Sequence, residues 1–151
     1  MANSTLGACP LRAHVDPRLV RFSAGATAVV LGLVLLLLDV LRPLALGLLG
    51  TQVAVFAFTA FVSFYWSVWA QIFAAVIWPR LQAPATLNDA RPPRLAQFVG
   101  FVLTAVALIS FLMGTDALGY VLTGVTLVVA AFDAATGSCL GCKLYPLVRR
   151  P

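Results

Sequence analysis

The chain has 151 residues, of which 62% are hydrophobic and only 10% are charged, and its net charge is +5. A soluble domain has about a quarter of its residues charged and needs a polar surface, so this composition excludes an ordinary soluble domain. The basic residues stand at the ends of apolar runs and form no compact patch, which favours anionic lipid headgroups over nucleic acid as their partner.

The N-terminal segment contains Pro10, His14 and Pro17, and the apolar run that follows it is longer than the core of a usual secretory signal peptide. No convincing small-residue cleavage site follows before Arg42. We therefore expect this run to be retained and predict a first transmembrane helix at about 20–38.

An uncharged stretch from Leu44 to Trp78 follows, which is too long for one transmembrane span and too short for two spans joined by a turn. Its second part, Ser63–Trp78, contains all three tryptophans, and this residue type collects at membrane interfaces. We predict a transmembrane helix at about 45–63 and an interfacial or re-entrant helix at about 65–78. One long tilted helix is the alternative.

Residues 79–94 contain four prolines and three arginines, which predicts a loop. Two further apolar runs predict transmembrane helices at about 95–115 and 117–140, the second interrupted only by Asp133. The predicted fold is a single all-α integral membrane domain. It has four transmembrane helices and one interfacial or re-entrant helix between spans two and three.

The distribution of basic residues predicts the orientation of the chain in the membrane. With four spans, the N-terminal segment, the loop at 79–94 and the C-terminal tail lie on one side, and they carry every basic residue except Arg42. Cytoplasmic loops are enriched in Lys and Arg, so both termini are predicted to be cytoplasmic.

The three cysteines, Cys9, Cys139 and Cys142, all fall on this predicted cytoplasmic side. Cys139 and Cys142 form a C-x-x-C, a spacing at which two thiols can close a small disulfide ring or bind one metal ion. A permanent structural disulfide is disfavoured in the reducing cytosol. Thiol exchange, metal binding and a purely structural role therefore remain the open alternatives.

In a thiol exchange reaction, Cys139 and Cys142 are the candidate exchanging pair and Cys9 is the candidate resolving thiol. The pair follows a helix C-terminus, whose dipole raises the pKa of a thiol, whereas the nearby Lys143 lowers it. In the metal-binding alternative, Cys9, His14, Cys139 and Cys142 would form a tetrahedral zinc site. For His14 we favour a solvated position at the interface.

Asp133 is the one acidic residue inside a predicted span, where a charged side chain costs about 2.5–3.5 kcal/mol on insertion scales. It precedes Cys139 by six residues, which is about 9 Å along a helix. Asp133 is therefore a candidate proton acceptor for the thiol pair. We favour the alternative that it pairs with an arginine such as Arg21 or Arg94, or with a hydroxyl group.

Three segments carry a family resemblance: VDPRLVRF at 15–22, PPRLAQ at 92–97 and GSCLGCKLY at 137–145. Together they resemble the bacterial membrane family catalogued as domain of unknown function 4395, and the similarity covers nearly the whole chain. The resemblance implies a small multi-span protein of the bacterial inner membrane with a C-x-x-C. It also suggests an association with thioredoxin-like or rhodanese-like sulfur proteins. The family has no established activity that the resemblance could imply.

These observations favour a membrane-embedded thiol redox or sulfur-relay protein whose partners are the lipid bilayer and a thioredoxin-like or rhodanese-like cytoplasmic protein. The alternative is a non-catalytic membrane scaffold or accessory subunit with structural or metal-binding cysteines. The sequence contains no phosphate loop, no metalloprotease motif and no Ser/His/Asp arrangement, and we predict no cofactor.

Overall fold

Four long helices dominate the computed structural model of the chain, which describes residues 14–15, 17–62, 67–80, 88–89, 91–137 and 147. The elements in chain order are β1 (His14–Val15), α1 (Pro17–Leu37), α2 (Arg42–Phe61), α3 (Val68–Ile72), β2 (Asn88–Asp89), α4 (Arg91–Met113) and α5 (Asp116–Thr136). A π-helical turn, Phe73–Ile77, and a 3₁₀ turn, Trp78–Arg80, continue α3.

The helices α1, α2, α4 and α5 each contain an apolar segment of 20 or 21 residues, long enough to cross the hydrocarbon core of a bilayer. Large apolar side chains such as Leu36 and Met113 are about three-quarters exposed, which suits a surface surrounded by lipid. The chain is a multi-pass membrane protein. Both the four spans and the shorter helix between spans two and three were predicted correctly.

The four spans form a bundle in which α1 packs against α2 and α5, and α4 packs against the same two helices. The bundle thus consists of two helical hairpins, α1–α2 and α4–α5, with the first helix of each beside the second helix of the other. We call the end that contains both hairpin turns the turn end. The opposite end, where α1 begins and α5 ends, is the terminal end.

The two hairpins repeat the same burial pattern. The buried residues of α2 are Ala45, Leu49, Gln52, Phe56 and Thr59. Those of α5 are Gly119, Thr123, Thr126 and Ala130. The first four positions of α2 lie 74 residues before those of α5, which is also the separation between Arg42 and Asp116. The sequence Pro-Arg-Leu also occurs near the start of α1, at 17–19, and near the start of α4, at 93–95.

A polar network joins the two hairpins at the turn end. Arg42 donates two hydrogen bonds to Asp116, from Nη2 to Oδ1 at 2.7 Å and from Nη1 to Oδ2 at 3.1 Å. Its Nη2 also donates to the carbonyl oxygen of Phe111 at 3.1 Å. The hydroxyl of Tyr120 donates to Oδ1 of Asp39 at 2.8 Å. Such two-point Arg–carboxylate contacts fix orientation as well as distance, so they hold the starts of α2 and α5 at one level.

The short helix α3 packs against the start of α1 at the terminal end. Ala70 and Phe73 form a buried cluster with Leu19, and the rings of Phe22 and Phe73 are 5.7 Å apart. Close to this end, β1 pairs antiparallel with β2, with His14 opposite Asp89. These two-residue strands join the segment before α1 to the loop before α4.

Candidate functional site

The candidate thiol pair follows α5 closely in the sequence, because this helix ends three residues before Cys139. Gly137 adopts the left-handed conformation, with φ of 65°, and its N–H donates to the carbonyl oxygen of Asp133 at 3.0 Å. Glycine is the residue that most readily stops a helix in this way. Cys9, Cys139 and Cys142 themselves lie outside the described residues.

Arg21 of α1 occupies the space beside this helix end. Its Nε donates to the carbonyl oxygen of Ala134 at 2.6 Å and its Nη2 to that of Ala135 at 3.1 Å. Its side chain also lies 3.8 Å from where a Cβ on Gly137 would stand. The last carbonyl groups of a helix lack partners within the helix and carry its negative dipole end. A guanidinium at this point therefore satisfies two of these carbonyls and offsets the dipole.

This contact bears on the electrostatics of any thiol that follows α5. The negative end of a helix disfavours a thiolate, whereas a nearby cation favours it. Arg21 brings a positive charge to the place where the dipole would act most strongly. Sequence reasoning considered Arg21 as a basic residue of the cytoplasmic side and as a possible partner of Asp133. It missed the contacts of Arg21 with the helix end, which depend on α1 lying beside α5.

Arg94 of α4 makes the corresponding contact with the other hairpin. Its Nη2 donates to the carbonyl oxygen of Val62, the residue at the C-terminal end of α2, at 3.1 Å. Each hairpin therefore supplies an arginine near the start of its first helix to the C-terminal end of the neighbouring hairpin. These two contacts place Arg21 and Arg94 together at the terminal end, which is the end that the cysteine pair follows.

Asp133 lies in the last turn of α5 and is half-buried, on the helix that leads to the cysteines. Its position corresponds, at the separation of 74 residues, to buried Thr59 in α2. Both of its suggested roles, as proton acceptor for the thiol pair and as partner of an arginine or a hydroxyl group, stay predictions.

His14 belongs to β1, and its backbone pairs with that of Asp89. Within the described part of the chain, no group of three His, Cys, Asp or Glu side chains could hold a metal ion. The suggested zinc ligands include Cys9, Cys139 and Cys142, which fall outside that part. The metal-site alternative therefore stays a prediction.

Sequence reasoning also missed a set of buried polar side chains inside the bundle. Gln52 is 1% exposed, and its Nε2 donates to Oγ1 of Thr27 at 3.3 Å. Further buried hydroxyl residues on the four spans are Ser23, Thr59, Thr104, Ser110, Thr123 and Thr126. Single hydroxyl and amide groups hardly interrupt an apolar run, so they gave no signal in the search for spans.

Comparison with known proteins identifies one family. The model of the family described as "Domain of unknown function (DUF4395)" matches residues 15–150. The match includes all four spans and both residues of the C-x-x-C, whereas Cys9 and His14 precede it. No curated protein and no solved structure matches the chain.

Proposed function

Starting from the DUF4395 family, to which this chain belongs, we propose that the protein is a thiol redox or sulfur-relay protein of the bacterial inner membrane. Cys139 and Cys142 are its exchanging pair, and the partner is a thioredoxin-like or rhodanese-like protein of the cytoplasm. The observation that carries the proposal is the end of α5. The helix stops three residues before Cys139, and Arg21 binds two carbonyl groups of its last turn.

The orientation of the chain belongs to the same proposal. The contact between Arg21 and the last turn of α5 joins the start of the first span to the end of the fourth, so both lie on one side of the membrane. Arg18, Arg80 and Arg94 are on helices or turns at this same end, whereas Arg42 is at the turn end. This asymmetry supports cytoplasmic termini.

The proposed redox exchange is balanced in atoms and electrons. The thiolate of one cysteine attacks a disulfide of the partner, which forms a mixed disulfide and releases one partner thiolate. The second cysteine then attacks the mixed disulfide and releases the second partner thiolate. The partner gains two electrons and two protons, and Cys139 and Cys142 are oxidised to a disulfide. Sulfur relay would use the same attack to move a persulfide sulfur.

Trapping of the mixed disulfide tests this proposal. In Cys142→Ser and in Cys139→Ser, the remaining cysteine can form the mixed disulfide, but its neighbour can no longer attack that bond and release the partner thiolate. At least one variant should therefore accumulate a disulfide-linked adduct with a cytoplasmic protein, and a reductant should cleave this adduct. Cys9→Ser is the matched control, since it keeps the pair and removes the candidate resolving thiol. If neither variant gives an adduct when Cys9 is also replaced by Ser, so that it cannot release the adduct, the thiol proposal fails and the non-catalytic scaffold is the better account.

Labelling of cysteines tests the orientation independently. A membrane-impermeant maleimide should leave Cys139 and Cys142 unlabelled in intact cells and should label them once the cytoplasmic face is exposed. A cysteine introduced at the turn end, in Asp39→Cys, should show the opposite pattern. Labelling of the native pair from outside would overturn the assignment of the termini to the cytoplasm.

A further inference from the structure

Each of the four spans contributes one buried polar side chain to the middle part of the bundle. The side chains are Thr27 from α1, Gln52 from α2, Thr104 from α4 and Thr126 from α5. We call this set the polar layer. A buried amide or hydroxyl group inside a transmembrane bundle needs a hydrogen-bond partner, so one such group on every span raises the question of what these partners are.

The contacts fix this depth. Arg42 and Asp116 are joined by their ion pair at the turn end, and Gln52 and Thr126 each lie ten residues further along α2 and α5. At 1.5 Å per residue both are about 15 Å from the turn end, half the thickness of a typical hydrocarbon core of about 30 Å. Thr27 is at this depth because it accepts the hydrogen bond from Gln52.

Thr104 reaches the same depth through the packing of α4 against α2. A Cβ on Gly100 would lie 3.0 Å from the ring of Phe56, so these two residues are level with each other. The helices run in opposite directions. Gln52 lies one helical turn before Phe56 on α2, and Thr104 lies one helical turn after Gly100 on α4. Both are therefore displaced from the Phe56–Gly100 contact by the same distance towards the turn end.

One hydroxyl group bordering the polar layer lacks a partner. Thr123 is one turn from Thr126 on the same face of α5 and is 0% exposed. Among the described residues, its Oγ1 makes no hydrogen bond. The hydroxyls of Thr104 and Thr126, in contrast, donate to the carbonyl oxygens of Gly100 and Leu122, one turn earlier in their own helices. Their oxygen lone pairs remain as acceptors.

From this arrangement we propose that the polar layer is a binding site for water in the middle of the membrane, with the Thr123 hydroxyl as its anchor. Water is both donor and acceptor, so it can satisfy the Thr123 hydroxyl and donate to the threonine oxygens. A buried polar group in hydrocarbon has no other small partner of this kind. The proposal does not depend on the activity of the cysteines.

The charges of the surrounding residues favour water over an ion. The layer contains amide and hydroxyl groups only, and an ion at mid-membrane depth needs a paired charge. Asp133 is the nearest acidic residue along α5, and it lies seven residues from Thr126, about 10 Å along the helix. Asp116 is further away, at the turn end.

Water-edited solid-state NMR of the full-length protein in bilayers of deuterated lipid tests the proposal. The signals of Thr123 and Thr126 should receive magnetisation from water early, whereas those of Leu38 and Ala45, which belong to an apolar cluster nearer the turn end, should not. Absence of early transfer to the two threonines would overturn it.

A pair of isosteric variants gives a second, independent test. Thr123→Val should abolish the early transfer at Thr126 and should not raise the thermal midpoint above that of the unsubstituted protein. The matched control is Thr59→Val, which removes a buried hydroxyl that bonds its own helix outside the polar layer, and it should leave the water signal at Thr123 in place. If Thr123→Val raises the midpoint while Thr59→Val does not, the hydroxyl is an unsatisfied group and not a water ligand.

Discussion

Gly119 allows α5 to approach α4 so closely that even one added carbon atom would not fit. A Cβ at this position would lie 2.7 Å from Cζ of Phe111 and 2.8 Å from both of its Cε atoms. The ring has little room to move, because Phe111 is 3% exposed and packs edge-on against Tyr120 with the centroids 5.4 Å apart. We therefore expect Gly119→Ala to force a shift of the ring or of the two helices.

The magnitude follows from two opposing contributions. Overpacking of a tight core costs about 1–3 kcal/mol, and the higher helix propensity of alanine returns about 1 kcal/mol. The net expectation is that Gly119→Ala lowers the free energy of unfolding by about 0–2 kcal/mol. Gly124 is the matched control, because it is in the same helix and nothing lies within 4 Å of its added Cβ. Gly124→Ala should keep the propensity gain and stabilise the protein by up to about 1 kcal/mol.

The difference between the two variants isolates the overpacking, about 1–3 kcal/mol in favour of Gly124→Ala. Reversible unfolding in mixed micelles, followed by far-ultraviolet circular dichroism during titration with sodium dodecyl sulfate, measures it. Combining Gly119→Ala with Phe111→Leu removes the end of the ring, so the two changes should couple favourably in a double-mutant cycle. Equal stability of the two alanine variants would refute the close approach of α4 and α5.

Two further predictions concern the polar contacts at the ends of the bundle. Arg42→Gln and Asp116→Asn should each lower the thermal midpoint of unfolding. The midpoint of the double variant should be little lower than that of the less stable single variant, and fully additive decreases would show that the two residues do not act as a pair. Arg21→Gln should increase hydrogen exchange in the last turn of α5, because two carbonyl groups lose their partner. Its control, Arg94→Gln, should instead affect the end of α2, and identical exchange patterns in the two variants would contradict these assignments.

The number of spans and the fold class could be predicted from the sequence because lipid imposes a simple demand. A helix that crosses the membrane needs about 20 apolar residues, and this chain has four such runs separated by charges, prolines or a tight turn. The tryptophan-rich stretch also predicted the short helix between spans two and three. All of these features are local, and composition within a window reveals them.

Helix ends were harder to predict, because hydropathy does not register capping. The apolar run of the fourth span continues to Leu140, but α5 ends at Thr136, since Gly137 adopts the left-handed conformation. The start of α2 shows the same difficulty: this helix was predicted from about residue 45 but begins at Arg42, with Pro43 in its first turn. Proline is well tolerated there because the first N–H groups of a helix lack partners in any case.

Contacts between spans could not be predicted, because the sequence does not give the order of the helices around the bundle. The ion pair of Arg42 with Asp116 joins residues 74 positions apart, and Arg21 reaches carbonyl groups 113 and 114 positions away. Arg42 was considered only as an exception to the distribution of basic residues. The site at the end of α5 could therefore be located by its cysteines but not described.

The polar contacts between the hairpins explain why α1 packs beside α5 and α4 packs beside α2. Lipid is as apolar as the helices, so burial of apolar surface does not select one packing partner over another. Directional bonds can do so. Arg21 from the first hairpin binds the end of α5, Arg94 from the second binds the end of α2, and Arg42 joins Asp116 at the turn end. Neither hairpin satisfies these groups alone, so the point at which the chain leaves α5 towards Cys139 is fixed only when both hairpins have assembled.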